Sequence, residues 1–221
     1  MKLLLSVFLK FTIGLFLVGL LLFLPAGTLA YFGGWLFIAL LFIPILILGI
    51  VLYLKAPELL QKRLNHKEKE KTQQGVVAIA ALLFLLGFVF AGLDHRFGWS
   101  DLPLPTVIVA SITLLVGYAM YAEVMRENAY LSRTVEVQEG QKVIDSGLYG
   151  VVRHPMYLAT ILLFISVPLV LGSWFSLLFF AFYPIVMVIR IRNEEQVLSE
   201  QLEGYREYME KVKYRLIPYI W

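Results

Sequence analysis

The sequence predicts an all-α protein, a polytopic bundle of about six membrane-spanning helices with a cytoplasmic C-terminal amphipathic helix. Hydrophobic residues make up 60% of the 221-residue chain, and the mean hydropathy is +0.79. Charged residues are gathered in a few segments, and the apolar runs between them reach about 18 residues, enough to cross a bilayer. The chain has no cysteine, which excludes disulfides, thiolate metal ligands and cysteine nucleophiles.

Six apolar runs follow one another along the chain. They cover residues 3–24, 35–54, 76–93, 106–122, 155–171 and 174–189. We interpret the first as a span and not a signal peptide, because several spans follow it. Residues 1–125 are therefore expected to be N-terminal membrane helices with a cytoplasmic loop at 55–74. Residues 126–221 are expected to carry the chemistry, within one integrated membrane domain.

The basic residues predict the orientation of these spans. When loops are assigned to alternating sides, Arg96 is the one basic residue of 19 that falls opposite the other 18. Lys and Arg collect on the cytoplasmic side of membrane proteins. Both termini and the segments before the fifth span and after the sixth are therefore predicted to be cytoplasmic.

The hydropathy period changes after Arg192. A stripe recurs at three- and four-residue steps through Glu194, Leu198, Leu202, Tyr205, Met209 and Val212. This spacing predicts an amphipathic helix at the membrane surface or over the ends of the spans, with Gly204 as a point where it divides.

The densest polar and aromatic cluster precedes the fifth span, at residues 147–157. A residue before proline is pushed out of the α region, so His154 should be extended and Pro155 should open a helix. Arg153 and His154 then lie at the positive end of that helix, where free N–H groups can hold an anion. Gly147 supplies permissive backbone for a close approach.

The cluster reads Gly-x-Tyr-x-x-x-Arg-His-Pro-x-Tyr, and a second set of residues follows the sixth span. This set comprises Asn193-Glu194-Glu195-Gln196-Val197-Leu198, Gly204-Tyr205-x-x-Tyr208 and Ile217-Pro218. Together they resemble the isoprenylcysteine carboxyl methyltransferase and phospholipid methyltransferase families of integral membrane enzymes. The resemblance covers residues 128–220. One departure is Ala159, where the family usually carries glycine, and its methyl group is expected to narrow the pocket floor.

The resemblance implies S-adenosylmethionine as methyl donor and a lipid-like or prenylated acceptor, with no nucleic acid and no metal. The implied catalytic residues are Arg153, Arg190 and Glu194. The implied cofactor-binding residues are Gly147, Tyr149, His154, Pro155, Tyr157, Glu194, Glu195, Leu198, Tyr205 and Tyr208. Arginine or histidine suits the donor's carboxylate, a glutamate suits its amine or ribose, and tyrosines suit the adenine and the sulfonium.

Several of these assignments leave alternatives open. Consecutive helix residues point about 100° apart, so we expect Glu194 to face the pocket, while Glu195 is either inward or solvated. Arginines at span ends are also ordinary membrane anchors. Asn128 is a further candidate for cosubstrate contact. Asp94-His95-Arg96 is interpreted as a capped interfacial turn, and the charge run at 67–71 as a solvated loop that meets anionic headgroups.

The sequence leaves two rival functions open. A sterol-reductase-like enzyme using NADPH shares Arg-His-Pro-x-Tyr and Tyr-x-x-Tyr, but Met156 and the glutamate pair favour methyl transfer. A transporter or scaffold predicts ionisable residues within spans, where almost none occur. The acceptor is left open between a carboxylate and an amine, for which Glu194, Glu195 or His154 would serve as base.

Overall fold

The computed structural model describes residues 2–64, 71–131 and 134–221, and every regular element in these ranges is a helix. In chain order they are α1 (Lys2–Ala26), α2 (Phe32–Lys55), α3 (Pro57–Leu64), α4 (Lys71–Phe97), α5 (Leu104–Glu127), a single 3-10 turn (Gly147–Gly150), α6 (Pro155–Val170), α7 (Trp174–Phe180), α8 (Tyr183–Gln201) and α9 (Tyr205–Lys211). Residues 134–138 form a loop.

The polytopic helical bundle predicted from the sequence is confirmed. Five helices are long and apolar enough to cross a membrane, with α7 and α8 counted together, and α6 is a shorter apolar helix. Their outward faces carry large apolar side chains such as Phe8, Phe16 and Leu82. Large apolar side chains are more stable in contact with lipid than in contact with water. The chain is therefore an integral, multi-pass membrane protein.

The predicted loop at 55–74 is largely helical. Residues 57–64 form α3, whose Leu59 and Leu60 are buried against Val124 and Tyr149. Helix α4 already begins at Lys71, and Gln73 within it is completely buried. Charge alone suggested a solvated loop here, but tertiary packing stabilises helices on both sides. Residues 65–70, with most of the charge run at 67–71, lie outside the described residues.

Close helix crossings hold the bundle together and join its two halves. A Cβ on Gly92 of α4 would lie 2.5 Å from the Leu22 carbonyl of α1, and one on Gly117 of α5 would lie 2.9 Å from the Leu163 side chain of α6. Small residues of this kind let membrane helices approach closely. One core cluster accordingly contains residues from α1, α2, α4, α5, α6 and α7.

Asp94 caps the turn predicted at residues 94–96. Its carboxylate is buried and accepts hydrogen bonds from the Ser100 backbone N–H at 2.7 Å, the Ser100 hydroxyl at 2.6 Å and the Ser173 hydroxyl. His95 stacks on the ring of Tyr31 at 4.2 Å. Asp94 thus connects the end of α4 to the segment before α5 and to the start of α7. Its carboxylate oxygens are used in these structural hydrogen bonds.

The last span does not end where the sequence predicted. Helix α8 runs without interruption from Tyr183 through Arg192 to Gln201. The first half of the predicted amphipathic helix is therefore an extension of the sixth span, because no residue between them breaks the helix. The division expected at Gly204 is present, since Gly204 has φ +81° and precedes α9.

Candidate functional site

A cavity opens at the end of the bundle where α6 begins and α8 ends. It encloses about 820 Å³ of space between α6, α8, α9 and the loop at 128–146, part of it open to solvent. Nine predicted site residues line it, namely Tyr149, Arg153, His154, Tyr157, Arg190, Glu194, Leu198, Tyr205 and Tyr208. The two halves of the sequence signature therefore meet at one cavity.

Three predicted cofactor-binding residues lie outside this lining. Gly147 opens the 3-10 turn with φ +52°, and a Cβ there would fall 1.4 Å from a carboxylate oxygen of Glu127. That same carboxylate accepts the Leu148 N–H at 3.1 Å. Gly147 thus lets the turn dock on the end of α5. Pro155 is the first residue of α6 and is buried. Glu195, the third, is described below.

Arg153 is committed to protein partners. Its Nε donates to Glu195 at 2.7 Å, and its Nη1 donates to the carbonyls of Val212 at 2.7 Å and Lys213 at 2.9 Å. The backbone N–H groups of Arg153 and His154 donate to carbonyls of the C-terminal segment. The backbone N–H groups of these two residues are therefore not free for an anion, because the chain returns beneath the motif after α9.

Glu195 lies at the centre of a buried cluster of ionisable groups. It is 5% exposed and accepts hydrogen bonds from Arg153 and Arg215, both at 2.7 Å, with His154 Nε2 at 3.2 Å. A buried carboxylate is tolerated only when its lone pairs are satisfied in this way. Of the two alternatives, inward and solvated, the inward one holds. Glu195 does not itself line the cavity, but it contacts Arg153 and His154, which do.

Glu194 faces the cavity, as the stripe with Leu198 predicted. The Tyr157 hydroxyl donates a hydrogen bond to its carboxylate. Arg190 Nε in turn donates to the Tyr157 oxygen at 2.9 Å, and its guanidinium lies 5.7 Å from the centre of that ring. Cation, phenol and carboxylate thus form one connected wall, contributed by α6 and α8.

The tyrosines on the opposite wall are bonded differently. The Tyr208 hydroxyl donates to the Tyr149 carbonyl at 2.8 Å, and Asn128 Nδ2 donates to the Tyr149 hydroxyl at 3.0 Å. The Tyr205 hydroxyl is buried and has no partner among the described residues. Burial, followed by the charges of Glu194 and Glu195, raises the pKa of Tyr205. A buried phenol hydroxyl in a cavity wall without a protein partner is expected to form a hydrogen bond with a ligand.

Two parts of the site could hardly be predicted from the sequence. Residues 128–144 supply ten lining residues, among them Tyr130, Glu136 and Ile144. The signal in the sequence is the long polar stretch between the fourth and fifth apolar runs. Arg215 and the C-terminal carbonyls had no signal at all. Ala159, expected to narrow the pocket floor, is absent from the lining and packs against Gly117 of α5.

Residues 107–200 match the sequence model of the isoprenylcysteine carboxyl methyltransferase (ICMT) family. The predicted family resemblance is confirmed. The matched segment runs from α5 to the end of α8, and contains the Arg153-His154 motif, Arg190 and Glu194. It ends before Tyr205, so the α9 wall of the cavity lies beyond the match.

Curated proteins similar to this chain include reductases. A Delta(14)-sterol reductase, TM7SF2, of Mus musculus is 31% identical over 91 residues, covering 40% of this chain and 22% of the reductase. A Delta(14)-sterol reductase of Arabidopsis thaliana is 25% identical over 134 residues, covering 55% and 36%. The uncharacterized protein YpbQ of Bacillus subtilis is 28% identical over 93 residues, covering 42% and 55%. The chain thus spans between about a fifth and a half of these relatives.

Proposed function

We propose that this protein is an S-adenosylmethionine-dependent methyltransferase of the membrane that acts on a lipid-like acceptor. The observation that carries the proposal is the convergence of two segments of the family signature on one cavity. Glu194 and Tyr157, from the two segments, are joined there by a hydrogen bond. The family match over residues 107–200 supports the same chemistry.

The charges of the cavity suit a cationic donor. S-adenosylmethionine carries a sulfonium, an ammonium and one carboxylate, so its net charge is positive. Two carboxylates, Glu136 and Glu194, line the cavity together with three basic side chains, Lys142, Arg153 and Arg190. The two arginines already donate to protein groups. The carboxylates suit the sulfonium and the ammonium of the donor, and a basic side chain suits its carboxylate.

Aromatic side chains provide the remaining complementarity. Tyr205 and Tyr208 lie with ring centres 5.6 Å apart on one wall, and Tyr149 and Tyr157 also line the cavity. Tyrosine faces suit both an adenine ring and a sulfonium. The unpaired Tyr205 hydroxyl donates to an acceptor atom of the donor, which removes the cost of leaving this group buried and unbonded.

Methyl transfer makes modest demands on the protein. The donor supplies an activated methyl group, and the acceptor's lone pair replaces the sulfur on the methyl carbon in line. The chain's own residues hold the two molecules in register and exclude water. A carboxylate acceptor needs no base, because attack on the sulfonium neutralises both charges. An amine acceptor must lose a proton, for which Glu194 and His154 are the cavity-lining candidates.

The membrane location supports a lipid-like acceptor. The cavity lies at one end of a bundle whose outer faces are apolar, so an acceptor dissolved in the bilayer reaches it without leaving the membrane. The distribution of basic residues supports a cytoplasmic position for that end. A soluble nucleotide-like donor is available there.

The relatives favour a second candidate, an NADPH-dependent sterol-reductase-like enzyme. Matches to Delta(14)-sterol reductases support it. NADPH carries several phosphate charges, and phosphate sites are usually built from cations that face the ligand. In this cavity, Glu136 and Glu194 oppose such a ligand, Arg153 and Arg190 have protein partners, and Lys142 is the one further lysine or arginine in the lining. Methyl transfer is therefore the function we propose.

Ligand binding to the purified protein in detergent separates the two candidates. We expect S-adenosylhomocysteine to bind in a calorimetric titration and S-adenosylmethionine to raise the melting temperature, with no shift from NADPH. Glu194→Ala should abolish binding, and Glu203→Ala, an exposed glutamate outside this cavity, should leave it unchanged. Stabilisation by NADPH alone would establish the reductase instead. A labelled methyl donor with lipid extract would then identify the acceptor.

A further inference from the structure

The chain after α9 passes directly beneath the Arg153-His154 motif. Arg153 N–H donates to the Tyr214 carbonyl and His154 N–H to the Arg215 carbonyl, both at 2.9 Å. Two further carbonyls of this segment accept from the Arg153 guanidinium. Residues 212–215 therefore serve as a backbone support for the motif, and lie outside the segment that matches the family model.

One side chain of this segment also reaches the buried cluster. Arg215 Nε donates to Glu195 Oε2 at 2.7 Å. The other carboxylate oxygen, Oε1, accepts from Arg153 Nε at 2.7 Å and faces His154 Nε2 at 3.2 Å. Arg215 is about one-third exposed, and its guanidinium lies 5.2 Å from the Trp221 ring. It is absent from the cavity lining, so any effect on the cavity passes through Glu195.

The bonding of Glu195 determines the state of the His154 ring. An ionised carboxylate only accepts hydrogen bonds, so the imidazole nitrogen beside it carries a proton. This puts a proton on His154 Nε2, the nitrogen that faces Glu195. A partner of this kind sets the tautomer and the orientation of a histidine.

We infer that Arg215 is a positioning residue, which fixes the Glu195 carboxylate and through it the orientation and protonated nitrogen of His154 in the cavity wall. Without Arg215, Oε2 loses the donor that the structure gives it, and the carboxylate turns on its side-chain torsions. The Oε1 contact with His154 then loosens. The expected effect of Arg215 on donor binding rests on the proposed function. Its expected effect on the His154 ring does not.

Nitrogen NMR of the imidazoles tests the inference without any ligand. The chain has three histidines, at positions 66, 95 and 154, so histidine-selective ¹⁵N labelling gives a simple spectrum. The signals that disappear in His154→Gln are those of the His154 ring. We expect the wild-type His154 ring to show a protonated Nε2. Arg215→Ala should shift or broaden the His154 signals, Arg215→Lys should restore them in part, and the exposed control Arg206→Ala should leave them in place. Unchanged His154 signals in folded Arg215→Ala would overturn the inference.

A binding cycle then tests the connection to the donor. We expect Arg215→Ala to weaken S-adenosylhomocysteine binding about tenfold, the scale on which outer partners of ligand-contacting histidines act. In the Glu195→Gln background the same substitution should have no further effect, because the connection is already cut. Additive losses would show a merely structural role and overturn the inference. Should the wild type bind no donor analogue, the proposed function fails while the NMR result still decides the role of Arg215.

Discussion

The Tyr157 hydroxyl donates a hydrogen bond to the carboxylate of Glu194, 37 residues further along the chain. Tyr157 lies in the first turn of α6, and Glu194 lies in the extension of α8 beyond the apolar part of the span. Arg190 donates to the same hydroxyl. This contact joins the two segments that the sequence suggested, and it orients Glu194 in the wall of the cavity.

Tyr157→Phe tests that contact. The substitution removes the donor to Glu194 and the acceptor for Arg190 while the ring remains. We expect donor binding to weaken roughly tenfold, the scale of one hydrogen bond to a charged group. Calorimetry with S-adenosylhomocysteine measures it. Tyr118→Phe is the matched control, since the Tyr118 hydroxyl donates to the Leu41 carbonyl at 3.1 Å and lies outside the cavity lining. Equal binding losses in both variants would contradict the assignment.

Glu195→Gln and Glu194→Gln should separate stability from binding. Glu195 is buried against two arginines and His154, so loss of its charge leaves the two guanidinium groups uncompensated and should cost about 3 kcal/mol of unfolding free energy. Glu194 is half-buried and lines the cavity, so its substitution should mainly weaken donor binding. Denaturant titration in detergent and calorimetry give the two quantities. A larger stability loss from Glu194→Gln would reverse these roles.

Tyr205→Phe and Tyr208→Phe should act in opposite directions on stability. The Tyr205 hydroxyl is buried without a partner, so its removal should leave the melting temperature of the ligand-free protein unchanged or raise it. Donor binding should fall, because the hydroxyl bonds the ligand. The Tyr208 hydroxyl donates to the Tyr149 carbonyl, and its removal should cost about 1 kcal/mol. Thermal melts with and without S-adenosylhomocysteine distinguish the two. Destabilisation of the ligand-free protein by Tyr205→Phe would show a protein partner for that hydroxyl.

Gly147→Ala tests how the motif turn docks on α5. Gly147 and Gly140 both have positive φ, so alanine is strained at either position. A Cβ at Gly147 would overlap the Glu127 carboxylate, whereas one at Gly140 has nothing within 4 Å. We expect Gly140→Ala to cost about 1 kcal/mol and Gly147→Ala at least about twice that. Melting temperatures compare them, and equal shifts would mean that the turn moves away from α5 without cost.

Local sequence was sufficient to predict the spans and the inward face of Glu194. Apolar runs long enough to cross a membrane are recognisable from composition alone. The four-residue spacing of Glu194 and Leu198 placed both residues on one face of a helix. The end of the last helix was not predictable in this way. A change in hydropathy marks where a helix leaves the lipid, but the backbone of α8 continues until Leu202.

Other parts of the site depend on contacts that leave no pattern in the sequence. Val212 and Lys213 contribute carbonyl oxygens to Arg153, and a carbonyl is common to every residue type. The buried position of Glu195 required a partner, and Arg215 looked like an ordinary basic residue of a polar tail. The family signature indicated which residues matter, and the fold determined that Glu195 supports the wall while Glu194 forms it.

The central claim is that the cavity between α6, α8 and α9 encloses a methyl donor. An experimental structure of the protein with S-adenosylhomocysteine tests it most directly. We predict the ligand in contact with Glu194 and with the hydroxyl of Tyr205. A ligand bound elsewhere, or a cavity that NADPH fills while S-adenosylhomocysteine does not bind, would contradict it.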